Sequence, residues 1–566
     1  MKHIHVYILL ALCAIAVPLY CLYQLCQMPI AGIMPTITNA LLIACPVLWV
    51  KPALRWSLLI PVWLLSAFAL SNYWYIRFLG DMIPLGSYLL WENVDSVLLK
   101  SLAHLIKPID LVLVLPALVA TVWFAKYRRA IQTEQLGIIS YRKCVTSAII
   151  CLYVIFGQLI PAVVDCAMDD EGISLNTYRQ ELYQRFCVND NGYREHAKVY
   201  GRVGFVGYWI KGVSWNIYRS LRSKHIPDAE RLAIDEYLQR AAAMRGKSEI
   251  NEKRQNLILI IVESLNSWVI DKRFGDRYVC PNIQRFLADS GTVAAKRMVT
   301  QVAGGTLSDG VFLYNVGMMP STECVTARAY SKNKFYALPH ILGDMTSSEV
   351  IFEYPDLWNH REMNKTYGYS SLTAGLYDYA SVNRLSQDAA VFRKALEVAD
   401  SVKGAFFIEI TTLSMHTPFV DPNMPMSEWI SKLNLPRQVR DYITVVNGFD
   451  AALAEFINKL KARGIYDNTL IVVASDHTAM VDGASVEENA SPFIFFMALN
   501  SPVTRRIEHP VGQVDAFPTY LILWGAWMML RGEDWDSVYS IPTILAYWIV
   551  PVIRLVRICR HPTLSI

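Results

Sequence analysis

Paired cysteines are absent from this 566-residue chain: its 11 cysteines follow no regular spacing. Seven of them (Cys13, Cys21, Cys26, Cys45, Cys144, Cys151 and Cys166) fall in or beside apolar runs, and Cys187, Cys280, Cys324 and Cys559 are scattered. No disulfide framework is therefore expected to hold the fold. Internal repeats and low-complexity tracts are missing too, which excludes a repeat architecture. Charge is scarce, at 18% of residues against 53% hydrophobic, and the net charge of +4 is too small to imply a nucleic-acid partner.

What takes the place of charge is long apolar sequence, concentrated before residue 165. Five stretches, roughly 5–25, 37–50, 57–76, 109–125 and 144–164, read as membrane helices, although the second is short and Pro46 and Pro61 interrupt the pattern. A cleaved signal peptide explains only the first of them. The loop from Gln27 to Asn39 carries no charge, whereas Lys51, Arg55, Lys126, Arg128, Arg129, Arg142 and Lys143 mark the alternate turns. Basic residues favour the cytoplasmic side, so the N-terminus is expected inside. The fifth helix then leads outward into the acidic run that ends Asp169-Asp170-Glu171. The expected organisation is a membrane domain over 1–165, linker helices over 166–250, an extracytoplasmic α/β domain over 251–535, and an apolar tail over 536–566.

Two smaller features fit that plan. Leu85 to Ile106 mixes apolar residues with Glu92, Asp95, Lys100 and His104, as an interfacial amphipathic segment or a packed connecting helix would. Tyr200 to Tyr218 is rich in aromatics beside Lys211 and Arg219, which suits a membrane surface or packing on the catalytic domain.

From residue 251 apolar strands and amphipathic helices alternate, the pattern of a mostly parallel sheet with helices on its faces. Pro281 opens a helix, Val439 to Gly464 is a helix closed by Lys459, Lys461, Arg463 and Gly464, and Ala405 to Ile410 and Phe493 to Leu499 read as strands. Two further strands end in metal-binding side chains: Asn256 to Val262 runs into Glu263, and Thr469 to Ser475 runs into Asp476-His477. An unpaired carboxylate at the end of a buried strand is costly, but ligands bind just beyond the carboxyl ends of such strands. Glu263, Asp476 and His477 are therefore expected to converge on one divalent cation. One imidazole among hard oxygen ligands suits Mn²⁺ first, with Mg²⁺ or Zn²⁺ as alternatives.

Between these strands, Gly304-Gly305-Thr306 precedes a helical run, and Thr306 with Asp309 reads as a capping box that sets a hydroxyl at a helix N-terminus. His416 follows the strand ending at Ile410 and is placed to contact a phosphoryl group or to protonate a leaving group.

Together the motifs resemble the lipoteichoic acid synthase branch of the alkaline phosphatase and sulfatase superfamily. They include Ile260-Ile-Val-Glu-Ser264, Cys280-Pro-Asn-Ile-Gln-Arg-Phe-Leu287, Ser308-Asp309, Leu413-Ser-Met-His-Thr-Pro-Phe419, Ala474-Ser-Asp-His477 and Gly512-Gln-Val-Asp-Ala-Phe-Pro-Thr519. The resemblance implies a multi-pass enzyme of the bacterial cytoplasmic membrane. It would move a glycerol phosphate-like headgroup from a phospholipid donor to an envelope glycan or glycolipid acceptor, through a phospho-Thr intermediate. It also implies that Glu263, Thr306, Asp476 and His477 hold the metal, that His416 contacts the substrate phosphate, and that the Trp358-Asn359 loop with His360 and Arg361 binds the headgroup.

Two departures stand out. Family members carry Thr directly before Ser-Asp, whereas Leu307 stands there in this chain. Thr306 is then the first candidate nucleophile, Ser308 the second, and an inactive site the third reading. Trp-Asn-Arg is replaced by Trp358-Asn359-His360-Arg361. The nearest rival is a phosphoethanolamine transferase, which typically carries His-Gly-Pro where this chain has His416-Thr417-Pro418, and several disulfides besides. A catalytically impaired protein that binds envelope polymer is a reading from another class.

Overall fold

The computed structural model describes residues 2–26, 32–79, 82–83, 88, 106–134, 141–161, 163, 195–221, 255–321, 324–479, 481, 486 and 493–525. The chain divides into two compact units, one drawn from 1–89 and 102–224, the other chiefly from 225–566. The segment 85–106, apart from Tyr88 and Ile106, and the tail 536–566 lie outside the described residues.

In the N-terminal unit each of the five expected stretches falls on a helix. These are His3–Leu25, Ile33–Ala44 prolonged by a tight turn to Leu48, Leu59–Leu79, Leu111–Thr133, and Arg142–Val154 prolonged by a wide turn to Leu159. Four are long and apolar enough to cross a membrane, and the second, Ile33–Leu48, is shorter. The helices pack through small and branched residues such as Ala11, Ala14, Ile15, Val62, Ala117 and Ala120. The aromatic run forms a further helix, Glu195–Leu221, broken at Gly204, where φ is +67°. Tyr200, Val203 and Tyr208 of that helix pack with Leu22, Tyr23 and Phe68 of this unit's own bundle. At the break, the Val206 amide donates to Asn39 Oδ1 at 2.8 Å, so a backbone group freed by the kink finds a partner.

Among its described residues the C-terminal unit has eleven strands. They are β1 (Asn256–Val262), β2 (Arg273–Phe274), β3 (Arg277–Tyr278), β4 (Val293–Val299), β5 (Thr346–Ile351), β6 (Ser371–Thr373), β7 (Phe406–Thr411), β8 (Thr469–Ser475), β9 (Phe493–Leu499), β10 (Arg505–Ile507) and β11 (Val511–Gly512). Strands β2 and β3 form a separate ribbon, and the rest one sheet in the order β10-β4-β9-β8-β1-β7-β5-β6, with β11 also beside β4. The central strands run parallel, and β9 is antiparallel to both its neighbours.

Alternation along β1 divides the core between the two faces of the sheet. Ile258, Ile260 and Val262 meet the helices Pro281–Ala288, Gln387–Ser401 and Arg437–Ala462 on one face. Leu257, Leu259 and Ile261 meet Leu307–Val316 and Ala516–Trp524 on the other. Burying each such side chain contributes roughly 1.5–3 kcal/mol, so the two-faced apolar run of β1 anchors the sheet at its centre.

Strand β5 did not stand out as a strand in the sequence because its buried positions Ser347, Ser348 and Glu349 are polar. The described cysteines, Cys280 and Cys324 in this unit among them, are free thiols.

Candidate metal centre

Strands β1 and β8 are neighbours in register, with Val262 opposite Ser475. Their next residues, Glu263 and Asp476, therefore leave the sheet at the same level, and the Asp476 amide donates to the Val262 carbonyl at 3.1 Å. His477 lies 3.6 Å from Glu263 Oε1 and 3.4 Å from Asp476 Oδ2, in each case through Nε2. All three side chains are buried, and one ligand atom from each falls within 4.8 Å of the others.

The surroundings fix each group. The Glu263 amide donates to Thr412 Oγ1, and Ser264, at φ +53°, donates from its hydroxyl to Glu263 Oε1 at 2.6 Å and from its amide to Asp476 Oδ1 at 2.7 Å. The His477 ring sets Nδ1 against the Thr478 carbonyl at 3.0 Å. A carbonyl only accepts, so Nδ1 carries the proton and Nε2 faces the carboxylates, the arrangement that ligating histidines adopt. Gln513 Nε2 donates to the Asp476 carbonyl at 2.7 Å, which ties the strand tip from below.

These residues fit a cation. Glu263 Oε2 and Asp476 Oδ2 are buried and accept no hydrogen bond. Burial first, and the Glu263 carboxylate next, push the Asp476 carboxyl well above the usual carboxylate range. Two carboxylates facing each other away from water call for positive charge between them, and a divalent ion held by Glu263, Asp476 and His477 would supply it.

Thr306 stands at the N-cap of the helix Leu307–Val316 with φ +40° and ψ −108°, and its side chain makes no capping bond. The capping box read from the sequence is thus corrected. Asp309 Oδ2 reaches back to the amides of Ala303 and Gly305, both at 2.9 Å, and caps the turn alone. A β-branched residue at positive φ is strained, and such strain gathers at functional positions. It leaves the Thr306 hydroxyl uncommitted to the cap. Ser308, by contrast, is buried and donates to the Gly305 carbonyl at 2.8 Å. The helix start is pressed onto the metal strand, since a Cβ added at Gly310 would lie 2.8 Å from Asp476 Cβ. Burial pushes the Asp309 carboxyl up to about 7.

His416 is half-buried in the turn after β7, with Nδ1 against the Thr417 carbonyl at 2.7 Å. The same reasoning leaves Nε2 as its working atom. Asp388, which no local sequence pattern singles out, holds this turn by accepting the Leu413 and Ser414 amides at 3.0 and 2.9 Å.

The loop expected to bind the headgroup turns on two residues of unusual backbone conformation. Trp358 (φ +49°) and Asn359 (φ +62°) are consecutive left-handed residues, and Asn359 Nδ2 donates to the Ala327 carbonyl at 2.8 Å. His360 turns inward to a 2.8 Å ion pair with the buried Glu349, and Arg361 is exposed and paired with Asp356 at 2.8 Å. Burial opposes charge on His360, yet the Glu349 carboxylate raises its pKa overall. His360 is thus held by Glu349 and Arg361 by Asp356, where the resemblance implied headgroup contacts. The helix His360–Tyr367 begins at His360, so His360 faces the sheet with Asn364 one turn on, and the next residue must face out.

Comparison with known proteins gives the domain a family. The family model described as Sulfatase matches residues 255–526. Those residues are a sulfatase-family domain. Lipoteichoic acid synthase 2 of Bacillus subtilis is 24% identical over 440 residues, covering 75% of this chain and 63% of its own length. Lipoteichoic acid synthase of Staphylococcus aureus is 25% identical over 296 residues, covering 48% of this chain and 46% of its own. The chain thus spans less than two thirds of the length of either relative.

Among solved structures, the lipoteichoic acid synthase LtaP of Listeria monocytogenes matches with TM-score 0.45 at 18% identity, over 55% of this chain and 81% of that one. The phosphoglycerol transferase GacH of Streptococcus pyogenes, solved with sn-glycerol-1-phosphate, matches with TM-score 0.39 at 13% identity, over 57% and 92%. The sulfatase-family domain is of the lipoteichoic acid synthase-like kind within the sulfatase and alkaline phosphatase superfamily.

Proposed function

We propose that the chain is a membrane-tethered phosphotransferase that takes a glycerol phosphate-like headgroup from a phospholipid and passes it to an envelope glycan or lipid acceptor. The observation that carries this reading is the buried Glu263–Asp476–His477 group, with its two hydrogen-bond-free carboxylate oxygens, set against the helix that Thr306 opens. The curated relatives named lipoteichoic acid synthase support the same chemistry. The membrane bundle sits in the cytoplasmic membrane with its N-terminus inside, and the sulfatase-family domain faces outward, on the side of the lipid headgroups it would use.

A divalent cation, Mn²⁺ first, held by Glu263, Asp476, His477 and Thr306, would lower the hydroxyl's pKa and neutralise phosphoryl charge. Thr306 Oγ1 attacks the phosphorus, and the bond from phosphorus to the diacylglycerol oxygen breaks. The proton lost by Thr306 passes to solvent, while His416 takes a proton from solvent at Nε2 and gives it to the departing diacylglycerol oxygen, so the step balances. An acceptor hydroxyl then attacks the phospho-Thr306 and loses its proton to His416 Nε2 and on to solvent, while the bond from phosphorus to Thr306 Oγ1 breaks and the freed threonine oxygen takes a proton from solvent. Trp358 and Asn359 hold the headgroup.

The test is mass analysis of the full-length protein after incubation with membrane lipids and Mn²⁺. A glycerol-phosphate adduct on Thr306 is the expected result. A phosphoethanolamine adduct would change the headgroup, an adduct on Ser308 would move the nucleophile, and the absence of both metal and adduct would leave an envelope-binding protein.

A further inference from the structure

Below the metal centre, Glu409 of β7 is buried on the face of the sheet that the helix Leu307–Val316 covers, and the proposed transfer makes no use of it. Asn315, near the end of that helix, donates from Nδ2 to Glu409 Oε2 at 2.5 Å and to the Val311 carbonyl at 3.1 Å. The carbonyl contact fixes which end of the amide is nitrogen, so Asn315 Oδ1 must face the third member, Tyr369, whose hydroxyl lies 2.7 Å away. The same hydroxyl lies 2.9 Å from Glu409 Oε2. Tyr369 has one proton for these two acceptors, so closing the ring takes a proton on Glu409. Burial first, and Glu349 in register on β5 next, push Glu409 up to about 8, and it keeps that proton at neutral pH.

The neighbouring residue Tyr314 donates to the Ser475 carbonyl of β8 at 2.5 Å. The helix is therefore pinned at successive residues to β8 and β7, which flank β1 and lie roughly 10 Å apart at ordinary strand spacing. One pin would let a helix roll; two on separate strands fix both its roll and its slide. Tyr369 follows the helix that the Trp358–Asn359 loop opens, and the ring links that loop to the same helix.

We propose that Glu409, Asn315 and Tyr369 form a buried lock that sets the helix Leu307–Val316, and with it Thr306, against the metal centre. They are positioning residues for headgroup transfer, and this rests on the reading of Thr306 as nucleophile.

The full chain in detergent, loaded with Mn²⁺, tests it through three variants: Asn315→Ala, Glu409→Leu and Glu409→Gln. Two readouts are taken, kinetics of headgroup release from labelled phosphatidylglycerol and hydrogen exchange of the Leu307–Gly310 amides. Asn315→Ala and Glu409→Leu are expected to lower kcat by about tenfold or more with KM within about twofold, and to speed exchange at 307–310. Glu409→Gln keeps an amide oxygen for Asn315 and is expected to retain about a third of kcat or better. If Glu409→Leu fails to fold, Asn315→Ala reads the same contact.

The lock is overturned if Asn315→Ala leaves exchange and kcat unchanged, or if Glu409→Gln falls as far as Asn315→Ala. A wild-type protein inert on the lipid, with exchange changed as described, would sink the lipid reading and leave the lock standing.

Discussion

At the scale of single residues, the two hydroxyls at the helix start are separated by their hydrogen bonds rather than by their chemistry. Ser308 spends its proton on the Gly305 carbonyl, whereas the Thr306 side chain makes no capping bond. Thr306→Ala is expected to abolish both adduct and transfer, while Ser308→Ala retains the adduct, as mass analysis of each variant would report. The metal ligands give a sharper expectation, because removing one leaves the others as uncompensated buried groups. Glu263→Ala should lose stoichiometric Mn²⁺, measured by metal analysis of the purified chain, with transfer lost alongside it. The convergence of Glu263, Asp476 and His477 was legible in the sequence, since a carboxylate at the tip of a two-sided apolar strand is costly unless positive charge meets it. His360 was not, because its partner Glu349 is supplied by a strand whose polar residues disguised it.

Elements set how closely these residues approach. Glycine at 310 lets the helix Leu307–Val316 lie on β8, and a methyl group there would press on Asp476 Cβ at 2.8 Å and Cα at 3.0 Å. Overpacking of this kind costs about 1–3 kcal/mol. Gly310→Ala should thus weaken Mn²⁺ binding by roughly tenfold or more, read by titration calorimetry, without unfolding the sheet.

The turn carrying His416 depends on Asp388 at the start of the helix Gln387–Ser401, whose carboxyl burial pushes up to about 6. Because that value is raised, the contribution of Asp388 to stability is full below its ordinary value near 4 and is lost as pH rises through about 6. Asp388→Asn keeps an oxygen for the Leu413 and Ser414 amides and does not ionise. Its melting temperature should gain on the wild type by a few degrees between pH 5 and pH 8, on the order of 1–3 kcal/mol, as thermal scans at the two pH values would report.

Across the whole molecule, an apolar helical bundle and a sulfatase-family domain share one chain. Cysteine labelling from outside intact cells checks the proposed topology: a cysteine introduced at exposed Lys432 should react, and one at Arg129 should not. The five apolar stretches and the parallel sheet could be read from the sequence because both are written in local hydrophobic periodicity. So could the meeting of Glu263 with Asp476 and His477, which follows from residue type at strand ends. Tertiary structure alone decided which hydroxyl is left uncommitted, where His360 turns, and that Glu409 pins the Thr306 helix. Those outcomes depend on backbone angles and on register between strands far apart in the sequence, and no local pattern encodes them.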